Sequence, residues 1–146
     1  SDRQRNTWII SNKKLNDYSH QYEPGIVDIM PTLAKHLRTN IIDSIAREID
    51  GIPLLGKVSV IDPKLKVYQN KADLTWKYLD KSGSVNILLS MTNNKKEGGV
   101  DKYVKIASVP VTQRHYIFDL NPFKSNFYKV VIEGKYNSVN TWGQMK

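Results

Sequence analysis

The sequence contains no cysteine, which excludes a disulfide framework, thiolate zinc sites and cysteine nucleophiles. The compartment stays open, because exported bacterial proteins often lack cysteine too. Histidine is scarce: His20, His36 and His115 lie 16 and 79 positions apart, with no spacing that sets two metal ligands on one face. Ser44 and Ser59 have no nearby histidine with a matching acid, so a hydrolase triad has no support. Gly98-Gly99 lacks the spacing of a phosphate-cradling loop. No apolar run approaches the roughly 18 residues that span a bilayer, and Ser1-Asp2-Arg3-Gln4-Arg5-Asn6 carries no signal-peptide hydrophobic region. No catalytic, cofactor-binding or metal-binding residue is assigned.

Acidic residues are also in short supply, 14 against 22 Lys and Arg, for a net charge of +8. The shortfall is local. Residues 1–55 hold seven of each sign, so the whole excess belongs to the remainder of the chain. A composition shift of that kind marks a seam, and the chain divides into a tail segment, 1–56, and a second unit, 57–146. With 146 residues, 40% hydrophobic and 25% charged, one domain with an attached segment is expected, and disorder is not.

The tail reads as a short α/β segment. Trp8-Ile9-Ile10 is a brief apolar run with the look of a strand buried on both faces. Between Glu23 and Leu37, the spacing of Ile26, Met30, Leu33 and Leu37 predicts one face of a helix, with Asp28 as its cap and Pro31 at its third position. Ile41 to Ile49 reads as a short helix stopped at Asp50-Gly51. After Gly56 a two-residue alternation takes over. Ala72 to Tyr78 and Val85 to Met91 flank the turn Asp80-Lys81-Ser82-Gly83 and read as a hairpin. Val58 to Ile61 or Leu65 to Tyr68 opens the set. Tyr103 to Val109, His115 to Leu120, Phe127 to Glu133 and Val139 to Trp142 complete about seven strands, the pattern of a mainly β chain folded as an antiparallel β-sandwich.

The basic excess does not favour nucleic acid as a partner. In residues 56–146 Lys outnumbers Arg fourteen to one, and Lys66, Lys77, Lys105 and Lys129 are scattered on the polar phase of the strands, where Lys suppresses edge aggregation. Trp76 alternates with the apolar set and reads as core. Trp142, Tyr136 and Trp8 are left as candidate ligand or interface residues, with carbohydrate as the ligand that stacks on aromatics.

Leu74-Thr75-Trp76, and Tyr116 to Leu120 followed by Phe127 to Ile132, resemble the second strand and the E and F strands of a fibronectin type III/immunoglobulin-like sandwich. Arg5 to Ser11, Ile26-Val27-Asp28-Ile29-Met30-Pro31-Thr32-Leu33-Ala34, and Arg47 to Leu54 resemble the last strand, last helix and exit loop of the alkaline phosphatase superfamily of phosphatases, phosphodiesterases and sulfatases. Leu37-Arg38-Thr39-Asn40 departs from that family's Leu-Gly after the helix, and Thr7-Trp8 lacks the Pro that usually precedes the Trp. The resemblance implies a parent hydrolase whose nucleophile and zinc or other divalent metal ligands lie upstream of Ser1, with no cofactor in this chain. It also implies a periplasmic or extracellular setting. The expected function is that of a non-catalytic C-terminal module with a structural or positioning role. The partner is then the upstream catalytic domain or, through the apolar tail, a second copy. The alternative is an independent binding module for glycan, surface polymer or protein.

Overall fold

The computed structural model describes residues 9–145. Alternating side chains from Val60 onward produce seven strands: β1 (Val60–Tyr68), β2 (Lys71–Tyr78), β3 (Ser84–Ser90), β4 (Val104–Pro110), β5 (His115–Asp119), β6 (Phe127–Glu133) and β7 (Ser138–Gln144). They form two antiparallel sheets, ordered β1-β2-β5 and β4-β3-β6-β7. The chain is a β-sandwich preceded by a short helical segment. Inward-facing residues of both sheets, among them Val60, Ala72, Leu74, Trp76, Val85, Ile87, Leu89, Val130 and Ile132, make one buried core. The Trp76 indole N–H is satisfied there by the Val111 carbonyl at 2.8 Å.

Both readings of the opening strand are joined, since β1 runs through Pro63 with a register shift between Ile61 and Lys64. A proline lacks the ladder donor and is accommodated where pairing is already interrupted. Gln69 and Asn70 both have positive φ, 46° and 59°, and Tyr68 pairs with Lys71, the geometry of a two-residue primed turn. The hairpin expected around Asp80 to Gly83 does not exist. β2 pairs with β1 and β5, while β3 pairs with β4 and β6, so this turn carries the chain from one sheet to the other.

The helical segment comprises α1 (Asp17–Gln21), a 3-10 turn (Ile26–Asp28) leading into α2 (Ile29–His36), and α3 (Asp43–Ala46). Of the buried strand expected at Trp8 to Ile10, Ile9 and Ile10 lie in irregular chain and are exposed, Ile10 to 96%; Trp8 lies outside the described residues. The chain just beyond α3 covers the outer face of the four-stranded sheet: Leu88 and Val131, on the outward phase of β3 and β6, are buried. The Asn140 amide donates toward the carbonyls of Arg47 and Ile49 at 3.4 and 3.3 Å and to the Asp50 carboxylate at 3.1 Å. Ile52 and Val58 join the sandwich core, and Tyr18 and Tyr22 pack against it.

Candidate functional site

Asp28 is buried, and it ties the start of α2 to the loop that precedes the sandwich. One carboxylate oxygen accepts the Ile52 N–H at 2.6 Å and the other accepts the Gly25 N–H at 2.9 Å. The Tyr18 hydroxyl lies 3.5 Å from the second oxygen; burial, followed by the Asp28 charge, pushes the Tyr18 pKa up. Thr32, one turn further along, donates to the Asp28 carbonyl at 2.6 Å and accepts the Leu54 N–H at 2.9 Å. Asp28 holds the N-cap position of α2, as expected, but its side chain bonds no N–H of that helix. The 3-10 turn starts the helical run at Gly25, and from the third position beyond it a carboxylate reaches back to the starting N–H while its other oxygen clamps a distant loop. That loop also needs Gly51, where a Cβ would sit 2.0 Å from the Val27 carbonyl oxygen.

With Thr32 turned to the clamp and Pro31 buried, α2 and its flanking turns present an apolar stripe outward. Ile26 is 73% exposed, Met30 51%, Leu33 53% and Leu37 70%, with Val27 beside them. An isolated apolar side chain on a surface needs no explanation, but a contiguous helical stripe does.

A second anchor was not legible. Lys129, expected on the solvent face of its strand, is buried and ion-paired with Glu48; its Nζ also lies 3.6 Å from Asp101. The Tyr103 hydroxyl donates to Glu48 at 2.7 Å, and burial together with that bond pushes its pKa well above the usual phenol value. Arg47 bonds Glu133 at 2.7 Å. Asp101 accepts from Thr92 and the Asn94 N–H through Oδ1, while its buried Oδ2 has no hydrogen-bond partner. The cluster ties the chain at Arg47 and Glu48 to β6 and to the strand entry at Asp101 to Tyr103. It joins the helical segment to the sandwich.

Of the residues singled out by sequence, Trp142 is 62% exposed on β7, with its ring stacked on Phe127 at a centroid distance of 6.1 Å. Tyr136 lies in the β6–β7 turn, half-buried, at the wall of a separate cleft of about 400 Å³ beside α2. The structure does not bring Trp142 and Tyr136 together in one site, and Trp8 lies outside the described residues. His20, His36 and His115 are all exposed, and His115 pairs with Asp73 at 2.8 Å. Among the described residues no three His, Asp or Glu side chains are placed to hold a metal ion. They do not fit a zinc centre, and no metal chemistry is assigned to them. No helix among the described residues is long and apolar enough to cross a membrane. No family model matches the chain, and neither a curated protein nor a solved structure gives a significant match.

Proposed function

We propose that this chain is a non-catalytic C-terminal module of a metal-dependent phosphohydrolase-like enzyme of the alkaline phosphatase superfamily, and that it positions or stabilises the catalytic domain. The observation that carries this reading is the outward apolar stripe of α2, held on a segment that Asp28 and Thr32 tie to Ile52 and Leu54 and that Glu48 ties to Lys129 of β6. A helix packed this way is ordered before its apolar face is covered, so docking costs little further chain entropy. The Val27 to Thr32 stretch that carries the resemblance does structural work here, which agrees with a role apart from the chemistry. The sandwich is read as fibronectin type III-like, supported by the division into β1-β2-β5 and β4-β3-β6-β7 and by buried Trp76 on the second strand. The Tyr128 hydroxyl also bonds back to the Phe123 carbonyl at 2.7 Å, as in a tyrosine corner.

The test begins with the coding sequence upstream of Ser1, read for a nucleophilic Thr or Ser and Asp-His pairs. The purified chain with added zinc is expected to leave a chromogenic phosphate or sulfate ester at the buffer rate. In the longer polypeptide, amide exchange over Ile26 to Leu37 is expected to slow. Zinc-dependent turnover by the chain itself, abolished by chelator, overturns the reading. The second reading, an independent glycan-binding module, is favoured by the exposed Trp142–Phe127 stack; a glycan-array signal lost in Trp142→Ala would establish it.

A further inference from the structure

The cleft beside α2 is walled by the C-terminal end of that helix and its outgoing turn on one side, and by the β6–β7 turn on the other. At about 400 Å³ it falls in the lower part of the roughly 300–1,000 Å³ range of small-molecule sites. Its lining combines apolar Ala34, Ile41 and Ile49 with Lys35 and Arg38, and includes no carboxylate. Neither cation has an ion-pair partner among the described residues; the Lys35 ammonium makes one bond, to the Tyr136 carbonyl at 3.3 Å, leaving two donors for a ligand. Outside the cleft, Lys57 and Lys135 lie 5.5 and 5.2 Å from the Tyr136 ring centroid, Lys57 being also paired with Asp80 at 3.7 Å.

Arg38 adds an independent observation. It ends α2 at φ 53°, in the left-handed region that glycine occupies most cheaply at a helix C-terminus. Arg38, one of the residues lining the cleft, thus sits on a backbone conformation that a glycine would adopt with less strain.

We propose that this cleft binds a sugar-sized organic oxyanion, a hexuronate or a phosphate-bearing monosaccharide, with the ring against the apolar residues and the oxyanion between Lys35 and Arg38. Arg supplies a planar fork that matches a carboxylate or phosphate, and Lys a mobile point charge. The proposal does not depend on the docking role of α2, and the site is distinct from the Trp142 platform.

The experiment is a titration of the full ¹⁵N-labelled chain with glucuronate, glucose 6-phosphate, glucose and inorganic phosphate, read by amide shifts. Saturable shifts at Ala34, Arg38, Tyr136 and Ser138 are expected with one or both anionic sugars, with a Kd of about 1 mM or tighter. Whichever of the two binds more tightly identifies the oxyanion. Affinity should fall several-fold when ionic strength rises from about 0.02 to 0.2 M. Arg38→Gly and Lys35→Gln should each weaken binding about tenfold, a loss typical of one charge-assisted bond. Both cations also suit the negative end of α2, so the urea midpoint is measured in parallel: a purely structural Arg38 predicts a lower midpoint and unchanged affinity, whereas the proposal predicts a midpoint equal or higher with affinity lost. The proposal is overturned if no saturable shift reaches these amides, if glucose binds as well as glucuronate, if inorganic phosphate binds as tightly as the sugars, or if Trp142→Ala abolishes the binding.

Discussion

Replacing Asp28 by Asn distinguishes a clamp from a cap. Asn and Asp serve almost equally as helix N-caps, so a capping Asp28 would tolerate Asn with no loss. In the clamp the two carboxylate oxygens face two different N–H donors, of Ile52 and of Gly25. An amide offers one acceptor and turns its NH2 toward the other donor, so either the Ile52 or the Gly25 N–H loses its acceptor. An unsatisfied buried donor costs roughly 1–3 kcal/mol, and a bond to a charged acceptor is worth roughly 1.5–3 kcal/mol. We therefore expect Asp28→Asn to lose about 2 kcal/mol and Asp28→Ala about 3 kcal/mol. With a urea m-value of about 2 kcal/mol/M, the midpoints fall by about 1 and 1.5 M. Buried Trp76 supplies the fluorescence change, with far-ultraviolet circular dichroism as the second probe of two-state behaviour. An Asn variant within about 0.5 kcal/mol of the parent would refute the clamp and restore Asp28 to an ordinary cap.

Gly51→Ala should cost about 3 kcal/mol or more, since its methyl would meet the Val27 backbone at 2.0 Å and neither chain can retreat without opening the Asp28 clamp; thermal melting reads this directly. Lys129→Met should lose roughly 3–5 kcal/mol by leaving Glu48 and Asp101 buried without their cation, and the double variant Glu48→Gln with Lys129→Met should recover part of it in a mutant cycle. Because the pKa of Tyr103 is raised in the folded state, its contribution is complete below the unfolded value near 10 and drains away as pH rises beyond it; urea midpoints at pH 8 and 11 should differ less in Tyr103→Phe than in the parent. Leu33→Asp, on the exposed stripe, should leave stability within about 0.5 kcal/mol while abolishing protection of α2 in the longer polypeptide.

The β half was legible because its signal is local. Alternation places each side chain on one face or the other, and the observed strands lie within two residues of those expected wherever both faces obey it. What could not be read is pairing, because the choice of partner for β2 is made by β5, more than forty residues away, and no local pattern distinguishes a hairpin turn from a crossing between sheets. Lys129 failed for the same reason. On its own strand it sits at an outward position, and only Glu48, brought over that face by α3, makes the position interior. Asp28 was recognised as a structural residue, but its partner Ile52 lies 24 positions further on, and the 3-10 turn that displaces the helix start leaves no mark in the apolar spacing. Asn16 at the head of α1, whose side chain accepts the Ser19 N–H, carried a cap signal that the absence of apolar periodicity concealed.

Without partners for its apolar residues, the sequence favours a tail cut early between Lys13 and Arg47, leaving a resistant core from Gly56. The structure distributes the anchors unevenly along that interval. Asn16 bonds Pro53 and Gly56, Asp28 and Thr32 bond Ile52 and Leu54, and Arg47 and Glu48 bond Glu133 and Lys129. Between Leu37 and Asp43 every side chain but Ile41 is exposed, and the backbone there has no tie to the sandwich comparable to those on either side. Cleavage needs several residues to leave the fold at once, which this turn permits most readily. We expect limiting trypsin to cut first at Arg38, and the two fragments to co-elute on size exclusion until urea is added, because the Asp28–Ile52 and Thr32–Leu54 bonds cross the nick while the Glu48–Lys129 pair keeps the chain beyond it on the sandwich. Immediate release of an intact 57–146 core, with the tail digested to small peptides, would mean that these buried bonds do not hold the segment in solution, and the docking face of α2 would then lose the rigid base on which its proposed role depends.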